Sequence, residues 1–94
     1  MKVTSLTVGE VEKEGYRGKI DISIKENGDL DMGLFEFGEL VEKYKGGDYE
    51  YDLVIAKEDK DSVLLHLIQE KFENTSGFKK WLEEHEIPFT ESSW

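Results

Sequence analysis

Alternation of apolar and polar side chains in the first third of the chain constrains the fold most. It runs over residues 19–25 and again over residues 29–34, with Asn27-Gly28 between the two runs. A period of two is typical of half-buried strands. Asn-Gly is the strongest short hairpin signal, because a type I′ turn needs positive φ at both central residues. The sequence predicts a β-hairpin with one apolar face, made of Ile20, Ile22, Ile24, Leu30, Met32 and Leu34.

Further elements are predicted on both sides of this hairpin. The apolar residues between positions 3 and 11 change phase, which predicts a first strand with a bulge near Gly9. Residues 37–45 have helical spacing and are followed by two glycines, so we expect a short helix whose apolar stripe begins at Phe37. Alternation returns over residues 48–55 and predicts another strand.

The rest of the chain predicts two helices and a last strand. Apolar residues between positions 63 and 72 cover over half of a helix circumference, so this helix is expected to be largely buried. A second helix, capped by Ser76, is expected to end before the single proline. The tail from Ile87 to Trp94 is expected to form a short strand. The order β-β-β-α-β-α-α-β predicts one α+β domain over residues 1–94, with helices on one face of an antiparallel sheet of about five strands.

Charge and composition exclude several classes of function. The 12 Lys and Arg residues against 22 Asp and Glu give a net charge of −10 at pH 7, so nucleic acid and anionic membranes are unfavourable partners. No apolar run approaches the roughly 18 residues of a membrane span. The chain has no cysteine, which excludes disulfides and thiolate zinc sites. Without an export signal in the sequence, we expect a bacterial cytoplasmic protein.

Two stretches of sequence resemble a known family. DYEYDLV at residues 48–54 and FKKWLEEHEIPFTESSW at residues 78–94 are similar to a family of short, acidic, uncharacterised bacterial proteins. Its members end in a helix, a Gly-Ile-Pro-aromatic step and a terminal Trp, and Glu86 stands here in place of that glycine. The resemblance covers roughly the C-terminal half. It implies a class of protein but neither an activity nor a site.

The acidic run Asp48, Glu50 and Asp52 is the main candidate binding site. On a strand these side chains point the same way, about 6.5–7 Å apart, and could bind a cation or a basic partner. They do not form an EF-hand, because Leu53 and Asp59 occupy the positions that need Gly and a bidentate Glu. The alternative is a solvated strand whose charges discourage edge-to-edge pairing.

Two histidines and the last tryptophan are further candidates for a functional role. His66 lies opposite the apolar arc of its helix and His85 lies on the same face as Trp81. The sequence has no nucleophile motif to serve them, so we expect structural roles and predict no catalytic residue, metal or cofactor. Trp94 is predicted either to cover the outer face of the sheet or to stand exposed at a binding surface. It is therefore a second candidate for binding.

These observations favour a non-catalytic interaction protein. Its acidic surface would meet a basic protein, as in small inhibitors or immunity proteins that neutralise basic enzymes, an analogy of charge alone. The alternative from another class is an enzyme or enzyme subunit that uses surface carboxylates with a divalent metal. A third possibility is a domain whose charge serves only solubility.

Overall fold

The computed structural model describes residues 3–93 and has an α+β architecture. Its order, β-β-β-α-β-α-α, differs from the predicted one because the described residues contain no last strand. The strands are β1 (Ser5–Lys13), β2 (Tyr16–Ile24), β3 (Leu30–Phe37) and β4 (Tyr49–Ile55). The helices are α1 (Glu39–Lys45), α2 (Lys57–Lys71) and α3 (Thr75–Glu84).

The four strands form an open antiparallel sheet in the order β1-β2-β3-β4. The predicted sheet of about five strands is thus corrected to four. Sequential neighbours pair throughout, so short connections suffice and β1 and β4 are the edges. The pairing of β1 with β2 shifts register between Thr7 and Gly9, which confirms the predicted bulge.

The turn between β2 and β3 differs from the predicted type I′ turn. Gly28 has φ 94°, but among the described non-glycine residues only Glu86 has positive φ, so Asn27 does not. The Gly28 N–H donates to the Lys25 carbonyl at 2.9 Å, and the loop is one residue longer than in a type I′ hairpin. The side-chain oxygen of Asn27 accepts a hydrogen bond from the Asp29 N–H at 3.0 Å, and this bond stabilises the observed turn.

Helix α1 begins later than predicted. The chain leaves β3 after Phe37 and turns at Gly38, whose φ is 119° and whose missing Cβ would lie 2.7 Å from the Gly15 carbonyl oxygen. Phe37 therefore belongs to the strand and not to the helix. α1 contacts β2 and β3, and its Val41 is buried, with 4% of its surface exposed. Gly46 ends the helix in a left-handed conformation, as the sequence predicts.

Helix α3 is capped by a different residue from the predicted one. The carboxamide oxygen of Asn74 accepts the Gly77 N–H at 2.9 Å, whereas Ser76 lies inside the first turn. Asparagine is as good a cap as serine, because its short side chain reaches the free N–H groups of the first turn. The helix is therefore two residues longer at its start than a Ser76 cap would allow.

The other end of α3 forms a Schellman motif. The Ile87 N–H donates to the Leu82 carbonyl at 2.9 Å and the Glu86 N–H donates to the Glu83 carbonyl at 3.1 Å. Glu86, with φ 56°, holds the left-handed position that usually falls to glycine. This is the position at which the chain departs from the family pattern described above.

The predicted strand over residues 87–94 is not formed by residues 87–93. Ile87 already donates its N–H to the helix end, and Pro88 has no N–H to donate. Two consecutive ladder donors are therefore missing at the start of the tail. Trp94 lies outside the described residues, so its predicted role in binding stays a prediction.

The described residues divide into two compact units, residues 3–60 and residues 61–93. The first contains the sheet and α1, and the second contains most of α2 with α3. The first turn of α2 is bonded to the β2–β3 loop, since the Lys57 N–H donates to Asp29 and the Lys60 ammonium donates to the Gly28 carbonyl, both at 2.9 Å. The single domain and the covering of one sheet face by α2 and α3 stay predictions.

Candidate protein-binding face

The two faces of the sheet differ in chemistry, because side chains alternate along each strand and the register aligns them across strands. The apolar face carries Leu6, Val11, Ile20, Ile22, Ile24, Leu30, Met32, Leu34, Tyr49, Tyr51, Leu53 and Ile55. The opposite face, called the acidic face below, carries Ser5, Thr7, Glu10, Glu12, Arg17, Lys19, Asp21, Ser23, Asp31, Gly33, Phe35, Phe37, Glu50, Asp52 and Val54.

Negative charge dominates the acidic face and is least compensated near β4. Both cations of this face, Arg17 and Lys19, lie on β2. Arg17 lies 3.9 Å from Glu10 and 3.8 Å from Glu12, and Lys19 lies 3.7 Å from Asp21. These pairs are long and exposed, so each contributes little to stability. β4 itself contains no Lys or Arg, which leaves its carboxylates without a neighbouring cation on the same strand.

The structure brings together two of the predicted site residues. Glu50 and Asp52 lie on the acidic face of β4, opposite Phe35 and Gly33 of β3. Asp48 precedes β4 by one residue and takes no part in the ladder. All three side chains are exposed, and within residues 3–93 none of them forms an ion pair.

Gly33 leaves a gap in the middle of the acidic face. Its cross-strand neighbours are Asp21 on β2 and Asp52 on β4. A Cβ at Gly33 would lie 3.1 Å from Oδ1 of Asp52, so this carboxylate leans over the glycine. The Thr7 hydroxyl donates to Asp21 at 2.9 Å, while Oδ1 of Asp31 is buried and accepts no hydrogen bond from residues 3–93. The Asp52 carboxylate thus covers a position that has no side chain of its own.

Two phenylalanines interrupt the charge of this face. Phe35 is 44% exposed and Phe37 is 39% exposed, although each is a large apolar side chain on an otherwise polar surface. The guanidinium carbon of Arg17 lies 5.6 Å from the centre of the Phe37 ring, within the range of a cation–π contact. The acidic face therefore combines aromatic rings with carboxylates.

Sequence reasoning missed both phenylalanines. The predicted strand stopped at Leu34, and Phe37 was assigned to the helix that follows. The signal was nevertheless present, because Phe35 and Phe37 continue the alternation of Asp31 and Gly33 up to the glycine that ends the strand.

A hydrogen-bonded triad lies on the other side of the sheet, at the end near α1. Glu36 accepts the Tyr16 hydroxyl and the Lys45 ammonium, both at 2.6 Å. The Lys45 bond, followed by the Tyr16 bond, lowers the pKa of Glu36, while the bond to Glu36 raises the pKa of Tyr16. Lys45 also lies 4.0 Å from the centre of the Tyr49 ring. These contacts tie α1 to β2, β3 and β4.

Residues 61–93 contain an apolar groove of about 640 Å³. Phe72, Phe78 and Trp81 line it. The centre of the Phe72 ring lies 5.1 Å from the centre of the Phe78 ring and 6.0 Å from that of the Trp81 ring. Such distances are typical of aromatic pairs that hold two elements together. The cluster therefore joins α2 to α3, with Leu82 and Ile87 extending the groove to the helix end.

Both histidines contact a backbone carbonyl one helical turn earlier. Nδ1 of His66 lies 2.7 Å from the Ser62 oxygen, and Nδ1 of His85 lies 2.8 Å from the Trp81 oxygen. The His85 ring also stacks on Trp81, with ring centres 4.2 Å apart. Across residues 3–93, no group of three or more His, Asp or Glu side chains is arranged to hold a metal ion.

Comparisons with known proteins give no information about the acidic face. No protein-family model, curated protein or solved structure matches this chain. The resemblance of the C-terminal half to an acidic bacterial family stays a prediction. In the part of the chain that the structure describes, no helix has the length and apolar character needed to cross a membrane.

Proposed function

We propose that this protein is a non-catalytic interaction domain that binds a basic protein through the acidic face of its sheet. One observation carries the proposal: Glu50 and Asp52 are exposed on an edge strand that has no cation, beside an exposed aromatic ring. Charges that served only solubility would not need that ring. An aromatic centre with a polar rim is the usual anatomy of a protein interface.

The charge of the chain suits such a partner. A net charge of −10 draws a basic protein towards the molecule and speeds encounter, and the uncompensated β4 side of the acidic face favours one orientation. The domain would then act as an inhibitor or an immunity-type protein does, by covering a basic surface. The absence of cysteine is in keeping with a reducing compartment, and we propose the bacterial cytoplasm.

The test is affinity capture from a bacterial lysate at low salt with two matched baits. One is the wild-type protein and the other carries Asp48→Asn, Glu50→Gln and Asp52→Asn. We expect basic proteins that the wild type retains to be lost from this triple variant. With a purified captured protein, the association rate should fall at least about threefold at low salt, and the difference should shrink as salt screens the field.

A second triple variant controls for net charge. Glu70→Gln, Glu73→Gln and Glu84→Gln remove the same three charges from exposed positions in residues 61–93. We expect this variant to capture the same proteins as the wild type. If both triple variants lost the captured proteins equally, only the total charge would matter. The proposal would then give way to the alternative that the charge serves only solubility.

A further inference from the structure

Phe35 is the most unusual side chain of the acidic face. It occupies a central strand, yet it is 44% exposed and lies between the charged residues Lys19 and Glu50 of the two neighbouring strands. Nearly half of the surface of this residue therefore stays accessible to a partner. Aromatic side chains, Phe among them, are enriched at the cores of protein interfaces, and exposed apolar patches rimmed by polar residues mark interaction sites.

The contacts of the neighbouring Phe37 ring show which kind of side chain fits beside an aromatic ring on this face. Arg17 lies over Phe37 at 5.6 Å and also lies within 3.9 Å of Glu10 and 3.8 Å of Glu12. A guanidinium thus contacts an aromatic face and two carboxylates at the same time. This arrangement uses the planar shape of arginine, which stacks on rings and presents several donors.

Phe35 has the corresponding surroundings without the cation. Within residues 3–93, no Lys or Arg lies over its ring, and the ammonium of Lys19 is directed towards Asp21 at 3.7 Å. Glu50 lies directly opposite Phe35 on β4. The neighbouring residue of β3 on this face is Gly33, which has no side chain to cover the ring, and Oδ1 of Asp52 leans over that glycine.

We infer that Phe35, with Glu50 and Asp52, is the docking point for an arginine side chain of the basic partner. The inference rests on the proposed function and adds a specific anchor and a preferred residue to it. The guanidinium would stack on the exposed part of the ring and bond to the carboxylates of β4. Lysine fits less well, because its compact, strongly hydrated ammonium lacks the planar fork with which a guanidinium stacks on a ring and bonds two carboxylates at once.

The probes for this inference are two peptides of equal length and charge, octa-arginine and octa-lysine. Isothermal titration at low salt should give a dissociation constant about two- to fivefold lower for octa-arginine, the factor that an exposed cation–π contact supplies. Phe35→Leu should abolish this preference while keeping an apolar side chain in the strand. Phe37→Leu is the matched control, because Arg17 already covers that ring, and it should retain the preference.

The same titrations separate the inference from the proposed function. The variant with Asp48→Asn, Glu50→Gln and Asp52→Asn should bind both peptides more weakly. If the triple variant weakens both peptides but the wild type binds them equally, the arginine site is overturned and the acidic interface survives. If the triple variant binds both peptides as the wild type does, both ideas are overturned.

NMR of the wild-type protein supplies a readout that does not depend on any variant folding. Octa-arginine should shift the ring resonances of Phe35, with nuclear Overhauser contacts from arginine side-chain protons, and octa-lysine should shift them less. Binding of octa-arginine without a change at the Phe35 ring would overturn the inference. Thermal melts of Phe35→Leu and Phe37→Leu would show that both variants are folded at the temperature of the titrations.

Discussion

The two faces of the sheet are formed by the same four strands but differ in chemical character. Apart from the Glu36 triad, the apolar face consists mainly of Ile, Leu, Val, Met and Tyr. Its centre at Ile22 and Met32 is half-buried, whereas Leu6 and Leu53 on the edge strands are 61% and 49% exposed. The acidic face mixes carboxylates, two cations, a glycine and two exposed phenylalanines. Residues next to each other in sequence thus belong to surfaces of opposite character.

This difference is the basis of our proposal that one face serves stability and the other recognition. Apolar burial is the main favourable term in folding, and the half-buried centre of the apolar face contributes to it. The acidic face gains little from its long, exposed ion pairs, and its like charges repel one another. Its two phenylalanines leave 44% and 39% of their surfaces exposed among these charges, a combination that we propose serves binding.

The largest effect is expected from the apolar face. Ile22→Ala, between Leu6 and Met32, should lower the free energy of unfolding by about 2 kcal/mol, because half-buried methyl groups are lost. Ser23→Ala, one residue on and facing the acidic side, should change it by less than about 0.5 kcal/mol. Urea unfolding measures both variants. Similar losses would contradict the assignment of the two faces.

A stabilising change outside the sheet should leave recognition unaltered. Glu86→Gly removes a side chain from a left-handed residue and should raise the free energy of unfolding by about 1 kcal/mol. Glu84→Gly, at the last residue of the helix, should instead lower it slightly and is the control. Octa-arginine binding should stay unchanged in Glu86→Gly. Weaker binding in that variant would mean that residues 61–93 contribute to the interface.

Acid should affect the Glu36 triad in a predictable direction. The folded pKa of Glu36 lies below its ordinary value, mainly because Lys45 and then Tyr16 bond to the carboxylate. A lowered folded pKa adds stability above the unfolded pKa, about 4.3, and that stability is lost as pH falls through the folded pKa. The stability difference between wild type and Glu36→Gln should therefore shrink from about pH 6 to about pH 3.

Lys45→Met tests the cause of this pH dependence. It removes the ammonium that is the largest cause of the lowered pKa of Glu36, so it should remove much of the acid-dependent difference. Melting temperatures of the wild type, both single variants and the double variant, measured across this pH range, give the coupling. A difference that does not depend on pH would show that Glu36 and Lys45 do not form this pair in solution.

The smallest effect is expected from charges on the acidic face. Asp48→Asn, Glu50→Gln and Asp52→Asn together should raise the melting temperature by a degree or two in about 0.02 M NaCl, because self-repulsion falls. The gain should shrink in about 0.3 M NaCl, where the Debye length is severalfold shorter. A lower melting temperature in the triple variant would show that these carboxylates form stabilising contacts.

Local patterns predicted much of the fold correctly. Alternation at Ile20, Ile22 and Ile24 predicted β2, and the phase change near Gly9 predicted the bulge. These features depend on neighbours in sequence. The turn type at Asn27 was predicted incorrectly, because a side-chain hydrogen bond to Asp29 favours a different turn from the one that Asn-Gly suggests.

The C-terminal segment and part of the candidate site could not be predicted from local patterns. The last strand was predicted from the tail alone, but a strand needs a partner with matching donors, and Ile87 and Pro88 supply none. Phe37 fits both a strand and a helix stripe by spacing alone. Its place was decided by Gly38, which fits closely against the Gly15 carbonyl in the turn that precedes β2.

By itself, the sequence determined the excess of acidic residues and the two-sided character of each strand. Side-chain alternation follows from backbone geometry, so it can be predicted without knowing what lies beside the strand. The tertiary structure decided which residues of different strands meet. Only the pairing register puts Phe35 beside Glu50 and Gly33 beside Asp52, because a shift of one residue would turn each side chain to the other face.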